Sequence, residues 1–437
     1  MSAPAAMVPA IPHETIITWQ APPVKFGIGA TEDIGYELTR LGAHSALIVT
    51  DANLARFGLS GRIAALVEAA GIGAEVFDGV EVEPTDTGCE RAAAELAHLA
   101  HRVDTYIGVG GGSSIDTAKM LNLLHSHPGA IIHDYLNPPI GAGKPIRGPL
   151  KPLVAVPTTA GSGSECTSMV ALGVTHLRVK TGIADTALRP VLALVDPLNT
   201  LTMPPGVTAS TGYDVLTHAC ESYTARPYDR RPPYATPADR PIYIGSNPIS
   251  DVWAERSLDL VGRFLCRSVL NPADLEARVG MAQAAMFAGL GFGNAGTHIP
   301  HADAYPIAGL ASDYQPRDYQ TGHALIPHGE AVISTAAAAF EFTYPACPER
   351  HLAAARLLGA DLAGVSVRGG ADVLPQALLD LLKDTGGPSG IAAFGYHKRD
   401  IPDLVEGAVK QQRLLKCCPR DVGPGELTQI FEAAMSS

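Results

Sequence analysis

The sequence predicts an α/β domain with a parallel, Rossmann-like sheet, followed by an all-α domain. Between about residues 45 and 200, short apolar runs alternate with segments whose apolar residues recur at helical spacing. Such runs are typical of strands that helices cover on both faces. After residue 203 the runs stop, and amphipathic helical patterns follow. Because 437 residues are too many for one ordinary core, we predict domains over residues 1–203 and 204–437.

The first domain contains five apolar runs that we predict as strands. They are SALIVTD at 45–51, EVFDGV at 75–80, YIGVGGG at 106–112, LVAVPTT at 153–159 and LALVDP at 192–197. Helices are predicted at 61–73, 90–102, 254–270, 349–364, 373–383 and 427–437. The segment 226–248 is too rich in proline for a helix or a central strand. We expect it to form an ordered loop that lies over the functional site, although a surface or oligomer-contact loop fits its composition equally well.

Charge and cysteine content exclude several classes of function. The chain has 44 Asp and Glu against 32 Lys and Arg, and its formal charge of −12 would repel nucleic acid. The apolar stretches are too short to span a bilayer. The seven cysteines are odd in number and lack C-x-x-C spacing, which indicates a reducing compartment. Residues 1–19 lack the features of a signal or transit peptide, so we predict a cytoplasmic rather than an imported mitochondrial protein.

A glycine-rich turn is the first candidate binding site. Gly110, Gly111 and Gly112 follow a predicted strand and lead into a predicted helix, where bare amides and a helix N-terminus suit a pyrophosphate. The spacing differs from G-x-G-x-x-G, and such glycines are often only structural. Asp51 ends an earlier strand, where it can bind ribose hydroxyls or cap the next helix. A second turn, at 157–165, is crowded with hydroxyl and small side chains.

Asp214 and His218 are the first candidate metal ligands, because residues four apart in a predicted helix share one face. Later histidine-centred segments offer His298, His301, His323 and His328 as further ligands. One carboxylate with three imidazoles suits Fe(II), with Zn(II) next. For an isolated D-x-x-x-H, an exposed pair or a satisfied core histidine is the alternative. Spacing alone does not decide which histidine of the H-I-P-H segment binds metal.

Five segments in order along the chain carry a family resemblance. They are GGGSSIDTAK, PTTAGSGSE, GYDVLTHACESY, HADAYPIAG and PHGEAV. With them the chain resembles the iron-containing alcohol dehydrogenase family over its whole length. VEPTD at 82–86, PIGAGKPI at 139–146 and GFGNAGTH at 291–298 are similar to its hydroxyacid-oxoacid transhydrogenase branch. The resemblance implies a two-domain architecture like that of dehydroquinate synthase, with the site between an α/β nicotinamide-binding domain and a helical metal and substrate domain.

The resemblance also implies the site residues. Catalysis would run through a metal, Fe(II) or Zn(II), whose ligands are Asp214, His218, His301 and His328. The NAD(H) site would contain Asp51, Gly111, Gly112, Ser113, Asp116, Thr158, Thr159, Ser162 and Lys180. The implied reaction oxidises 4-hydroxybutyrate to succinic semialdehyde and passes the hydride to 2-oxoglutarate, which gives 2-hydroxyglutarate without added nicotinamide. One departure is Tyr305, which stands where many family members carry a second histidine.

Both implied substrates carry carboxylates, so basic groups should line the pocket. We predict Arg240 as a bidentate partner, with a surface salt bridge as the alternative. The nearest alternative function is an NAD-dependent alcohol or 4-hydroxybutyrate dehydrogenase that exchanges its cofactor in each cycle, and a remote one is an NAD- and metal-dependent lyase of the dehydroquinate synthase type. We expect small hydroxyacids and oxoacids as partners, neither nucleic acid nor membrane, and assembly into a homodimer.

Overall fold

The structure of the protein is a computed structural model that describes residues 12–177, 179–319 and 324–436. Its strands are β1 Val24–Phe26, β2 Ser45–Val49, β3 Gly73–Phe77, β4 Thr105–Gly110, β5 Leu153–Pro157, β6 Met169–Val174, β7 Val179–Ala184 and β8 Leu192–Val195. Its helices are α1 Ile34–Leu41, α2 Ala52–Arg56, α3 Leu59–Ala69, α4 Asp86–Glu95, α5 Gly112–Ser126, α6 Ile132–Tyr135, α7 Pro205–Thr224, α8 Pro248–Leu270, α9 Leu275–Ala295, α10 Ile299–Gly309, α11 His328–Thr343, α12 Pro348–Leu357, α13 Val373–Thr385, α14 Ile401–Val409, α15 Gln412–Leu415 and α16 Pro424–Ala433.

The first half of the chain forms a six-stranded parallel sheet in the order β1-β8-β5-β4-β2-β3. Helices cover both faces, as neighbouring residues of β2 illustrate. Ile48 belongs to a core cluster with Ile34 of α1 and Ile63 of α3, whereas Leu47 packs in a second cluster with Ile115 of α5. This double burial is the reason that the strands are continuously apolar, and the predicted fold class is confirmed.

All five predicted strands are present, as β2, β3, β4, β5 and β8, but three others were missed. Strand β1 has only three half-buried residues and pairs only with β8. Strands β6 and β7 form an antiparallel hairpin outside the main sheet. Alternate residues of β6 are buried, so this hairpin lacks the signal of a doubly covered strand.

The second half of the chain is helical. Helix α7 is buried along nearly its whole length, because α8, α9 and α11 all pack against it. The helix predicted over 349–364 is too long, since α12 ends at Leu357 and Gly359 follows with φ 105, in the left-handed region that terminates helices. Likewise, α4 ends at Glu95 within the helix predicted over 90–102. The proposed domain boundary at residues 203–204 lies between β8 and α7.

The proline-rich segment 226–248 has a fixed path with two short 3₁₀ turns, Tyr228–Arg230 and Pro237–Asp239. Its last part is buried, since Tyr243 and Ile244 are both less than 9% exposed. The segment therefore packs onto the helical half beside the site. Across the described residues, none of the helices combines the length and the apolar character that crossing a membrane requires.

Candidate metal centre and nucleotide cleft

Three helices bring the four predicted metal ligands together. Asp214 and His218 lie one turn apart on α7, His301 lies on α10, and His328 is the first residue of α11. The Oδ1 atom of Asp214 is 3.5 Å from His218 Nδ1, 3.5 Å from His301 Nε2 and 3.9 Å from His328 Nε2. Ligand atoms at zinc-like bond lengths around one tetrahedral ion would be roughly 3.4 Å apart. The spacing therefore fits a shared cation.

The donor atoms of this cluster also lack partners of their own. Among the described residues, Asp214 Oδ1, His218 Nδ1 and His301 Nε2 are buried without a hydrogen bond. Buried polar atoms are seldom left unpaired, because each one costs the free energy of its lost hydration. One carboxylate oxygen and three imidazole nitrogens are suitable ligands for Fe(II) or Zn(II). The residues present therefore fit a divalent metal.

The electrostatics of the cluster keep Asp214, His218 and His328 in metal-binding forms. Burial alone would raise the pKa of Asp214, but the charges of His218, His328 and His301 hold it well below its usual range. Burial lowers the pKa of His218 to about 3 and that of His328 to about 4. Around neutral pH the carboxylate is therefore ionised and both rings are neutral, as metal ligands must be.

Glu221, which the sequence analysis did not single out, orients His301. It is buried on α7 and accepts hydrogen bonds from the backbone N–H of His298, at 2.7 Å, and of His301, at 3.3 Å. The Nδ1–H of His301 donates to its carboxylate, which leaves Nε2 facing Asp214. Burial would lower the pKa of His301, but Glu221 and Asp214 outweigh it and raise the pKa to about 9. A sequence signal existed, because Glu221 lies seven residues after Asp214, on nearly the same helical face.

The remaining histidines are separate from the cluster. His298 Nε2 lies 3.1 Å from Thr224 Oγ1, so the structure places His301 rather than its neighbour beside Asp214. His323 lies outside the described residues. Within the cluster, the ring of His218 stacks on Phe292, with centroids 3.7 Å apart and planes 5° apart. This contact fixes the ring plane of one ligand.

Gly329 permits the close approach of α11 to α7. A Cβ atom there would lie 1.8 Å from the carbonyl oxygen of Ser210 and 3.2 Å from the backbone nitrogen of Asp214, both on α7. Backbone atoms of a buried helix cannot move aside cheaply. Since His328 is the preceding residue, this absence of a side chain brings His328 within reach of Asp214.

We expect Gly329→Ala to destabilise the protein by about 3 kcal/mol, because overpacking forces the helices apart. The same shift should move His328 away and reduce the metal content. Urea unfolding and metal analysis by mass spectrometry would measure both effects. The matched control is Gly61→Ala on α3, where a Cβ would meet nothing within 4 Å. That control should gain up to about 1 kcal/mol from helix propensity, and equal behaviour of the two variants would contradict the packing argument.

One cleft contains the four predicted metal ligands together with the glycine-rich turn and the hydroxyl-rich turn. It has a volume of about 850 Å³ and lies at the carboxyl ends of the sheet strands, facing α7, α10 and α11. His328 is the most exposed metal ligand, with 31% of its side chain accessible, whereas Asp214, His218 and His301 expose 7% or less. The nine predicted nucleotide residues also line this cleft, namely Asp51, Gly111, Gly112, Ser113, Asp116, Thr158, Thr159, Ser162 and Lys180.

Several of these nine residues also have structural contacts. Asp51 caps α2, since its carboxylate accepts hydrogen bonds from the N–H groups of Asn53 and Leu54 at 2.9 and 3.1 Å. Gly112 begins α5 close to Ser162, and a Cβ on this glycine would lie 2.8 Å from the serine side chain. The two turns therefore approach each other closely enough to contact one ligand.

Asp116, Lys180 and Lys119 connect the cleft to the β6–β7 hairpin. Asp116 accepts a hydrogen bond from the backbone N–H of Ala171 at 2.8 Å, and Lys180 forms an ion pair with Glu83. Lys119, a buried residue of α5, donates to three carbonyl oxygens of the segment 164–169, which follows β5 and ends at the first residue of β6. These acceptors, which use all three protons of an ammonium group, are Ser164 at 2.8 Å, Thr167 at 3.1 Å and Met169 at 2.7 Å.

The structure does not bring Arg240 to the cleft. Its Nε donates to a carboxylate oxygen of Glu14 at 3.0 Å, and it is absent from the described residues that line the cleft. This contact is a salt bridge, as in the alternative of the sequence analysis, but it is largely buried and does not lie on the surface. Another arginine, Arg413, does line the cleft, and its sequence context gave no signal of this position.

Curated relatives match nearly the whole chain. The hydroxyacid-oxoacid transhydrogenase of Xenopus tropicalis is 46% identical over 413 residues, which cover 94% of this chain and 89% of the relative. The human protein of the same name is 45% identical over 414 residues, which cover 94% and 88%. Both are named as mitochondrial proteins, which contradicts the cytoplasmic location predicted from the sequence. That prediction was wrong because cysteines without disulfide spacing indicate a reducing compartment without identifying which one, and because residues 1–19 without recognisable targeting features do not place a protein in the cytoplasm.

Solved structures share the fold. A 1,3-propanediol oxidoreductase superposes with a TM-score of 0.83 at 29% identity, covering 96% of this chain and all of the other. A sulfoacetaldehyde reductase from Bifidobacterium kashiwanohense, solved in complex with NAD⁺, gives 0.79 at 26% identity and covers 97% and 100%. Both are oxidoreductases, in agreement with the enzyme class predicted from the sequence.

Two family models match consecutive parts of the chain. The model described as iron-containing alcohol dehydrogenase matches residues 21–197, and the model of the C-terminal part of the Fe-containing alcohol dehydrogenase family matches residues 242–435. The first covers the parallel sheet, and the second covers the helices that carry His301 and His328. The chain is therefore an oxidoreductase that belongs to the iron-containing alcohol dehydrogenase family.

Proposed function

We propose that the protein is a hydroxyacid-oxoacid transhydrogenase. It oxidises 4-hydroxybutyrate to succinic semialdehyde and reduces 2-oxoglutarate to 2-hydroxyglutarate, and NAD(H) stays bound between the two half-reactions. The observation that carries this proposal is the convergence of four predicted ligand side chains, three of them with unpaired buried donor atoms, in the cleft that also contains the glycine-rich and hydroxyl-rich turns. The names of the Xenopus and human relatives support the choice of reaction.

The two half-reactions balance each other. Oxidation of the hydroxyl carbon removes one hydride from carbon and one proton from oxygen, and reduction of the oxo carbon takes up both. No external oxidant is needed, provided that the reduced nicotinamide is not released. Retention of the cofactor is therefore the property that separates this proposal from an ordinary dehydrogenase.

The cation would be held by Asp214, His218, His301 and His328. Membership of the family favours Fe(II), and Zn(II) is the alternative. When bound, the metal supplies a Lewis acid for the hydroxyl oxygen of one substrate and the oxo oxygen of the other. Glu221 keeps His301 in the tautomer whose Nε2 faces Asp214. The protein side chains thus set the orientation of both substrates before reaction.

The two turns would hold the nucleotide. Backbone amides at Gly111 and Gly112 open α5, where a pyrophosphate is favoured by unpaired N–H groups and the helix dipole. Thr158, Thr159 and Ser162 offer hydroxyls on the facing turn. When bound, the nicotinamide supplies the acceptor and donor of hydride. The NAD⁺ complex of the sulfoacetaldehyde reductase supports this cofactor, and the homodimer expected from the sequence stays a prediction.

The proposal is tested by incubating the purified, metal-loaded protein with 4-hydroxybutyrate and 2-oxoglutarate without added NAD. We expect 2-hydroxyglutarate and succinic semialdehyde in equal amounts over many turnovers, measured by mass spectrometry. Without 2-oxoglutarate, semialdehyde should stop at about one equivalent of bound cofactor. Product that forms only with added NAD, together with released NADH, would instead identify a dehydrogenase with an exchangeable cofactor.

A further inference from the structure

Arg413 is an arginine in the cleft that forms no ion pair with a carboxylate of the described residues. It lies on α15, and its guanidinium carbon is 4.5 Å from the ring centroid of Tyr243. Its Nη1 atom is buried and has no hydrogen-bond partner within the described part of the chain. The contacts of the guanidinium are therefore to an aromatic neighbour, and its charge is not neutralised by an acidic side chain of that part of the chain.

Arg413 and Tyr305 line the same cleft as the four predicted metal ligands. The ring of Tyr305 is 6.2 Å from the ring of His328, with the two planes 24° apart. The phenol of Tyr305 therefore lies beside one of the predicted ligands, in the cleft that also contains Arg413.

The other basic side chains of the cleft already have partners. Three Lys or Arg side chains are among the described residues that line it. Lys180 forms an ion pair with Glu83, and Arg56 donates a hydrogen bond to Asn53. Of these three basic side chains, Arg413 is the one with a buried N–H donor that has no hydrogen-bond partner among the described residues. It can therefore bind a carboxylate that enters this acidic protein.

We propose that Arg413 binds the carboxylate of both substrates, in an anion pocket made of Arg413, Tyr243 and Tyr305. This inference rests on the proposed function. In 4-hydroxybutyrate and in 2-oxoglutarate alike, two methylene groups separate the reacting carbon from a carboxylate. The guanidinium of Arg413, at one position in the cleft, can therefore serve both half-reactions. Both substrates then place their reacting carbon at the same point.

The chemistry of the anion pocket suits a carboxylate better than a neutral group. A guanidinium binds a carboxylate through two parallel N–H···O bonds, which fix direction as well as distance. Stacking on Tyr243 holds the planar group in place, so little side-chain entropy is lost on binding. Burial keeps both tyrosines protonated, because it raises the pKa of Tyr243 and of Tyr305. Neutral phenols add no negative charge beside the arriving anion.

The test measures binding of glutarate, which is 2-oxoglutarate without its oxo oxygen, to enzyme loaded with metal and NADH. By calorimetry, we expect Arg413→Met to weaken glutarate binding about 100-fold, as truncation of a buried charged partner does. Arg413→Lys keeps the positive charge but loses the two parallel N–H donors of the guanidinium, and should weaken glutarate binding about tenfold. The matched control is Arg420→Met, since Arg420 stacks on Phe342 at 4.1 Å and is not among the residues that line the cleft. This control should bind glutarate as the wild type does.

Kinetics with a neutral substrate separate binding from structure. Arg413→Met should raise KM for 4-hydroxybutyrate about 100-fold, while the single-turnover rate of 1,4-butanediol oxidation by the bound NAD, followed as NADH absorbance, changes less than about twofold. Equal losses for both substrates would show a merely structural role and overturn the proposal. Unchanged glutarate affinity in Arg413→Met, or a wild type that does not bind glutarate, would also overturn it. If Arg413→Met fails to fold, the lysine variant gives the same comparison.

The two proposals fail in different ways. If the wild type binds glutarate through Arg413 but makes no 2-hydroxyglutarate, the transhydrogenase function is wrong and the anion pocket remains. If the wild type makes 2-hydroxyglutarate and Arg413→Met does so with unchanged KM, the function remains and the anion pocket is wrong.

Discussion

Replacement of His218 by alanine should remove the bound iron or zinc and lower transhydrogenation by about a thousandfold or more. His218 Nδ1 lies 3.5 Å from Asp214 Oδ1 and has no hydrogen-bond partner among the described residues, so no protein contact replaces a metal bond there. Alanine also removes the ring that stacks on Phe292 and leaves a cavity at the centre of the ligand set. The metal content per chain and the rate of 2-hydroxyglutarate formation measure the two effects.

His125→Ala is the matched control for this substitution. His125 is also buried, but its ring nitrogens lie 2.8 Å from the hydroxyl of Tyr106 and 3.0 Å from the carbonyl oxygen of Ala93. This variant should lose stability and keep its metal. A full equivalent of metal and normal turnover in His218→Ala would contradict the ligand assignment, whatever the control does.

Glu221→Gln should destabilise the metal-free protein by about 3–5 kcal/mol, because it removes the carboxylate that pairs with Nδ1 of His301 and leaves that buried charge with Asp214 alone. The amide can still accept from the backbone N–H groups of His298 and His301, so the loss reports on the ion pair with the ring. A metal ligand that loses its orienting carboxylate should bind metal roughly 10–100-fold less tightly. Urea unfolding measures the first effect, and competition with a chelator measures the second.

The matched control is Glu255→Gln. Glu255 accepts a hydrogen bond from the hydroxyl of Tyr223 at 2.8 Å, which is a contact to a neutral group. The glutamine amide oxygen can still accept from this hydroxyl, so the variant should cost less than about 1 kcal/mol and leave metal affinity unchanged. If Glu221→Gln costs no more than Glu255→Gln, the carboxylate of Glu221 does not stabilise His301 as a charged pair.

The strands of the parallel sheet were predictable because burial on both faces produces continuous apolar runs. Leu47 and Ile48, adjacent in β2, are both fully buried, although they face opposite layers of helices. The β6–β7 hairpin was not predictable in this way, since it leaves alternate residues such as Ala171 exposed. A sequence pattern that depends on burial of both faces identifies the strands of the central sheet, but it misses a hairpin that is buried on one face.

The site was predictable where its chemistry lies within one helix or one turn. Asp214 and His218 are neighbours by helical geometry alone, and the family motifs brought in His301 and His328. Residues that depend on contacts between distant segments were not found. The sequence analysis selected Arg240 by its place in an unusual segment, whereas the arginines that line the cleft among the described residues are Arg56 and Arg413. The sequence shows which arginines exist, but only the packing of the folded chain shows which of them line the cleft.

Lys119 bears on the proposed retention of NAD(H). By donating to the carbonyls of Ser164, Thr167 and Met169, it makes the hydroxyl-rich turn rigid while the protein folds. The entropy of ordering that turn is thus lost during folding and not again when the cofactor arrives. A preorganised binding surface of this kind favours slow dissociation of its ligand. Slow dissociation is what the proposed reaction requires, because the reduced cofactor must transfer its hydride to the second substrate before it dissociates.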